Sequence, residues 1–229
     1  MSVAHWDRRP LGRCAKFLSG GTPSKSRPEF WEGEIPWVSS GEMTETYIND
    51  TPLHITAEAA EDGSRVVPAN TVLAVVRGMS LAKEFRVAIT KREMAFNQDL
   101  KAFACETDVE PEFLLYALLA RRGHIRELAT EASHGTKKLE TDVLANFSIL
   151  LPKPRIQRRV IEVISAYDDL IENNRRRMGV AGRSSAATLP RVVRLPPLPR
   201  ARTHPHHQRC AGRVGARSIR ERARPSTWI

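Results

Sequence analysis

The sequence predicts a mixed α/β (α+β) domain running into one long helix of coiled-coil type, with a C-terminal tail of different character. Three observations carry this. Short apolar runs rich in β-branched and aromatic residues alternate with helix-like segments as far as Pro152. From Ile156 the apolar residues recur at spacings of 4, 3, 4 and 3. Beyond Met178 neither a helical nor a strand period survives. The expected boundaries are 1–152 for the domain, 153–178 for the helix and 179–229 for the tail.

The strands expected, in order, are "IPWV" (Ile35 to Val38), "TVLAVV" (Thr71 to Val76), "FRVAIT" (Phe85 to Thr90), "KAFAC" (Lys101 to Cys105) and "FSILL" (Phe147 to Leu151). Each is bounded by Pro, Gly or polar residues. Helices interrupt them. "TAEAAEDG" offers Thr56 as N-cap and Gly63 as a stop, and "PEFLLYALLARRG" has Pro111 in its first turn and Gly123 at its end. After Pro152 and Pro154, the residues Ile156, Val160, Val163, Tyr167 and Leu170 form an a/d seam, which Ile164 and Ile171 widen. Asn174 takes the next a position, where a polar residue can fix register. The plainer reading is an amphipathic helix packed on its own domain. The Pro-x-Pro exit, and a stripe left unfinished at Arg175-Arg176-Arg177, favour a seam for another helix.

The net charge of +10 points to nucleic acid only until it is located. Residues 178–229 hold eleven Arg, no Lys and the single acid Glu221, whereas Met1 to Arg177 balance 25 basic against 25 acidic residues. The body is neutral, so the total charge says nothing about what the body binds. Arg, Ala, Pro and Gly make up 28 of the 52 tail residues. Such a tail reads either as a disordered basic arm for acidic polymers or as out-of-frame translation of a GC-rich gene. The broken-off seam favours the second. His204, His206 and His207 imitate a metal tract, but no metal is expected. No apolar run approaches the ~18 residues of a membrane span, and "MSVAHWDRRPLGRC" lacks an apolar signal core of ~7–15 residues, so the cytoplasm is expected and no membrane. Cys14, Cys105 and Cys210 are odd in number and scattered, which suits neither a zinc site nor a disulfide framework.

"SGGTPSK" (Ser19 to Lys25) invites a phosphate-loop reading. A Walker loop needs glycine directly before its lysine, and here Pro23 removes an amide from the supposed nest. A rigid turn explains the stretch better, with Gly20-Gly21 supplying unusual φ and Pro23 fixing the exit. The turn delivers Phe30, Trp31 and Trp37 into the fold. Thr22, Ser24, Lys25 and Ser26 stay outside, where hydroxyls and an ammonium can meet phosphate.

"SGGTPS", "FWEGEIPWVSSGEM", "VVPANTVLAVVRG", "FNQDLKAF" and "HGTKKLETDVLANFSILLPKPRIQRRVIEVISAYDDLIENNRRR" follow one another in this order. From about Leu11 to Arg177 the chain resembles the specificity subunit of type I restriction–modification systems. The resemblance implies a target recognition domain that reads half of a bipartite double-stranded DNA site, followed by a spacer helix. It further implies methyltransferase subunits docked along the helices and a translocase–nuclease subunit joined to them. S-adenosylmethionine, ATP and Mg2+ would belong to those partners and no cofactor to this chain. The family's usual continuation is more helix and a second recognition domain. Here that place is taken by the tail, which reads as truncation or frameshift after the first spacer helix and puts assembly in doubt. Half-sized versions can pair through the helix, so a homodimer is a further expectation.

Members of such a family read different sequences, so the motifs that identify it are not the base readers. Gly20, Gly21, Thr22, Pro23, Trp37, Asn97 and Gln98 are expected to be structural or phosphate-positioning, although Asn or Gln can pair with adenine. The readers are expected in three loops. "SSGEMTET" carries Ser39, Ser40 and Glu42, a carboxylate that can accept from cytosine N4. "RGMSLAKEFR" offers Arg77, Lys83 and Arg86, arginine being the commonest partner of guanine. "SHGTKK" offers Ser133, His134, Lys137 and Lys138. Each charge taken singly is more simply a solvated surface group; the expectation concerns the set. A helix-turn-helix over "FLLYALLARRGHIRELATEA" would turn Glu127 and Glu131 toward phosphates and is disfavoured. No methylation motif and no Gly-rich cofactor loop is present, so no catalytic residue is assigned. Two alternatives remain: a stand-alone Mg2+-dependent nuclease using Asp99 and Lys101, and a protein adaptor that never meets DNA.

Overall fold

The computed structural model describes residues 6–132 and 135–188. The chain opens with β1 (Asp7–Pro10), β2 (Ala15–Ser19), β3 (Ile35–Val38), β4 (Tyr47–Ile48) and β5 (His54–Ile55). α1 (Ala57–Gly63) follows, capped as expected by the Thr56 hydroxyl accepting from the Ala59 amide. Next come β6 (Val66–Val67), β7 (Val72–Val75), β8 (Arg77–Gly78), α2 (Ser80–Lys83), β9 (Val87–Thr90), β10 (Met94–Phe96) and β11 (Leu100–Cys105). α3 (Pro111–Ala120), α4 (Arg122–Glu127), β12 (Thr130–Glu131), β13 (Lys137–Lys138), α5 (Thr141–Asn146), β14 (Ser148–Leu151) and α6 (Pro154–Thr188) complete the order.

The apolar runs are nearly continuous because the strands are buried on both faces. β2-β11-β7-β9-β4 form one sheet and β5-β3-β10-β6 a second. Alternate residues divide between two cores. Val72, Ala74, Val87, Ile89 and Phe103 face α3, meeting Phe113, Leu114 and Leu118. Leu73, Val75, Ala88, Leu100 and Ala102 face the second sheet, meeting Val38, Met94 and Phe96. Trp37 and Ala95, on that sheet's other face, pack with Phe30, Ala59 and Ala60. The layers therefore run helix, sheet, sheet, helix. β1 pairs antiparallel with β14, Asp7 opposite Leu151, so the domain's first and last strands are tied together.

Two sequence expectations are corrected. Gly20 and Gly21 are not in the left-handed region, where only Asn70, Gly78 and Gly135 lie among the described residues. They are required by close approach instead: a Cβ would overlap the Phe96 carbonyl at Gly20 and the Gly63 carbonyl at Gly21. Gly123 does not end a helix but lies inside α4, because α3 already stops at Ala120. Glu131 is in strand β12, which agrees with the sequence reading that disfavoured a helix-turn-helix there.

α6 extends past the expected boundary at Met178, to Thr188. The rest of the tail, with Cys210 and the His204, His206 and His207 cluster, lies outside the described residues. The apolar stripe of α6 is split between two faces. Val160 and Ile161 pack against the domain core, and Ile164 joins Val160, Trp6 and Phe113 around a cavity of about 260 Å³. Gln157, with no exposed surface, lies on the same side. Ile156, Val163, Tyr167 and Leu170 are 37%, 54%, 64% and 57% exposed. One face of the helix thus packs on its own domain, as the plainer reading has it, and four of the five seam residues face outward.

Candidate nucleic-acid interface

Two of the three loops singled out meet in one small sheet, β12-β13-β8. Lys138 stands opposite Arg77 and Lys137 opposite Gly78. Like charges directly opposite across antiparallel strands repel and lower stability. Lys138 is compensated by Glu140 at 2.8 Å, while Arg77 is exposed at the strand's surface. Gly78, at φ +136°, gives the ribbon a corner that a side chain would strain. The third loop reaches the same place: a Cβ on Gly78 would lie 3.8 Å from Ser40 Oγ and 3.9 Å from Ser80 Oγ. Ser40, Arg77, Lys137 and Lys138 are therefore brought together. Ser133 and His134, in the β12–β13 connection, lie outside the described residues.

Other candidates stand differently. Glu42 turns a carboxylate oxygen back to the Ser39 amide at 2.7 Å, while its own amide donates to the Ser39 carbonyl. That oxygen closes a local turn. Arg86 lies 3.9 Å from Glu84, which also accepts from Arg122 at 3.2 Å. Lys83 ends α2, and its carbonyl accepts from Arg126. Arg122 and Arg126, not singled out in the sequence, thus flank Lys83. Their signal was available as an i, i+4 pair of arginines.

The glycine-threonine-proline turn is a separate place built on β10. Gly21 donates to the Phe96 carbonyl, and its own carbonyl accepts from Trp37 Nε1 and Ser64 Oγ. Thr22 donates to Gln98 Oε1 at 2.6 Å, and Ser24 and Ser26 hydroxyls lie 2.7 Å apart beside exposed Lys25. Asn97 is buried; its carbonyl oxygen accepts from the Asp99 amide at 3.1 Å. It shapes the loop and offers no edge to a base. Asp99 in turn uses its carbonyl to accept from the Val76 and Arg77 amides, which fixes the start of β8.

The residues of the nuclease reading are committed elsewhere. Lys101 donates to Ser19 Oγ at 2.6 Å, and the Asp99 carboxylate accepts from Asn97 Nδ2 at 3.4 Å. Among the described residues no three acidic, histidine or cysteine side chains group as metal ligands. Burial pushes the Cys14 thiol up to about 11 and the Cys105 thiol to about 12, so neither is an activated nucleophile.

Two contacts fix α6 on the domain, and neither had a sequence signal. Gln157 donates from Nε2 to the carbonyls of Asp108 and Pro152, both at 2.8 Å, and accepts from the Glu110 amide at 2.9 Å. Further along, Asp168 accepts from Tyr47 at 3.0 Å and Tyr116 at 3.1 Å, the two hydroxyls being 2.8 Å apart. Burial, and then hydrogen bonding to these partners, raises the Tyr47 pKa above its usual range; burial also raises that of Tyr116.

Residues 4–178 match the family model of the type I restriction modification DNA specificity domain. A type I restriction enzyme specificity subunit of Escherichia coli is 31% identical over 164 residues, covering 71% of this chain and 41% of that protein. The crystal structure of an HsdS subunit from Thermoanaerobacter tengcongensis shares the fold at TM-score 0.56 and 18% identity, over 77% of this chain and 40% of that one. A structure described as the basis of complex assembly and conformational transition of a type I restriction–modification system matches at TM-score 0.58 and 19% identity, over 82% and 43%. The chain thus spans about 40% of the length of these relatives. With its family model matched from residue 4 through the first part of α6, this chain belongs to the type I restriction–modification DNA specificity family.

Proposed function

We propose that the chain reads one half of a bipartite duplex site with the face built on β8 and β13, and hands that address to catalytic partners through α6. The observation that supports this most is the cross-strand pair Arg77 and Lys138. Glu140 offsets part of the repulsion between these facing cations, and a polyanion laid across them relieves the remainder. Phosphates hold the duplex there, and the base edges are left to side chains of the surrounding loops. Ser40, Arg77, Lys137 and Lys138 form the centre, with Ser39, Lys83 and Arg86 around it; His134 is a further candidate by sequence alone. Thr22, Ser24, Lys25 and Gln98 serve as a second, phosphate-positioning contact.

The chain itself is non-catalytic in this reading. Methyltransferase subunits dock along α6 and methylate adenine; a translocase–nuclease subunit restricts unmodified DNA. S-adenosylmethionine, ATP and Mg2+ belong to them, and the assembly works in the cytoplasm. The exposed Ile156, Val163, Tyr167 and Leu170 are the apolar surface available for that docking or for a second copy. Two copies related by a two-fold axis would read a near-palindromic bipartite site. Co-expression with the family's methyltransferase subunits, followed by sequencing for methylated adenine, tests this. One bipartite methylated motif is the expected result. Absence of methylation despite a co-purifying complex would reject it.

A further inference from the structure

Gly123 has no explanation inside the chain. It lies within α4 at a φ outside the left-handed region, and a Cβ built on it meets no atom within 4 Å. In a helix, glycine lowers the folding equilibrium constant by about fivefold relative to alanine. A glycine that costs stability and relieves no internal clash is suited to something approaching from outside. The groups around it say what that is. Gly123 lines a shallow depression with Lys83, Glu84, Phe85, Arg122 and Arg126. Arg86 stands 3.9 Å from the same Glu84. Arg86 and Arg122 thus share the Glu84 carboxylate. Among the described residues the Lys83 ammonium has no ion-pair partner, and Arg126 donates from one Nη to the Lys83 carbonyl.

We infer that this depression seats a backbone phosphate of bound DNA, held by the Arg122 and Arg126 guanidinium forks with Lys83 beside them. The missing Cβ at Gly123 lets the phosphate close onto the α4 backbone. The assignment rests on the DNA-reading proposal above and deepens it. α2 joins β8 directly in sequence and packs against β8, β13 and α4, so the seat and the Arg77–Lys138 face lie on connected elements. A phosphate fixed here sets the register in which the surrounding loops meet base edges.

The test uses the full chain and a short random-sequence duplex, because phosphate contacts need no target sequence. Affinity is followed by fluorescence anisotropy across ~50–200 mM salt. The tail arginines are common to every variant and cancel in the comparison. Arg122→Gln/Arg126→Gln should flatten the log affinity against log salt slope by about 0.9, the share of one phosphate, making the loss over that range about 3.5-fold smaller than in the wild type. Gly123→Ala separates binding from folding, since it should raise the thermal unfolding midpoint and weaken binding. Unchanged slope in the double variant, with unchanged binding in Gly123→Ala, overturns the seat. The triple variant Arg77→Gln/Lys137→Gln/Lys138→Gln tells the two levels apart. If it lowers the slope while the others do not, only the seat is lost; if it also changes nothing, the face fails with it.

Discussion

Replacing Gln157 by leucine should loosen α6 from the domain at a cost that the structure allows to be worked out. Gln157 is fully buried and makes three hydrogen bonds of 2.8, 2.8 and 2.9 Å, all to backbone groups. Leucine has nearly the same volume, so little cavity or overpacking penalty enters. What is lost is about 1 kcal/mol net for each bond, plus the desolvation of a Glu110 N–H left without an acceptor, about 1–3 kcal/mol. The two carbonyls keep a second lone pair and are cheaper to leave. The sum is about 4–6 kcal/mol, a large part of the stability of a domain this size. Arg158→Ala is the control. Its pair with Glu110 is short, 2.7 Å, but Arg158 is 67% exposed, so its loss should cost less than about 1 kcal/mol. Urea titration followed by far-UV circular dichroism reads both. A Gln157→Leu loss below about 1 kcal/mol would refute the view that these three bonds hold the helix to the domain.

Further outcomes follow from the same geometry. Gly20→Ala should destabilise by about 3 kcal/mol in thermal unfolding, since its methyl meets a backbone carbonyl that cannot move aside. Cys14 and Cys105, at about 11 and 12, should carry about 100-fold and about 1,000-fold less thiolate, respectively, than an ordinary cysteine near pH 8. Site-resolved mass spectrometry after brief alkylation measures this, and rapid labelling of either would contradict their burial. Tyr47 and Tyr116 have folded pKa values raised above the unfolded value of about 10. Their contribution is therefore fully present below that pH and is lost as pH rises beyond it. Tyr47→Phe should cost about 1–2 kcal/mol near neutral pH and show a shallower alkaline loss in pH-dependent unfolding.

The sequence made the long strands and the long helix legible, since each carries enough residues for a period or a composition to register. The five expected strands all occur, as do Thr56 as a cap and Pro111 in a first turn. β4, β5, β6, β8, β12 and β13 are two residues each, too short for alternation to be read. Their pairing decides the candidate face: no local signal in "RGMS" or "GTKK" says that Arg77 will stand opposite Lys138, sixty-one positions later. Glycines were readable as special but not for the right reason. At Gly20 the constraint is a neighbouring carbonyl and not φ, and Gly123 lies within α4 and does not stop α3. The stripe from Ile156 to Leu170 was visible, yet its division between domain and surface depends on where Gln157 and Asp168 bond.

Selection of bound duplexes from a randomised pool by the full chain, compared with the Arg77→Ala/Lys137→Ala/Lys138→Ala variant, most directly tests whether this face reads DNA. The wild type should enrich one short motif of consecutive base pairs, and the variant should lose that enrichment while remaining folded. A wild-type pool with no enriched motif, or the same motif recovered by the variant, would contradict it.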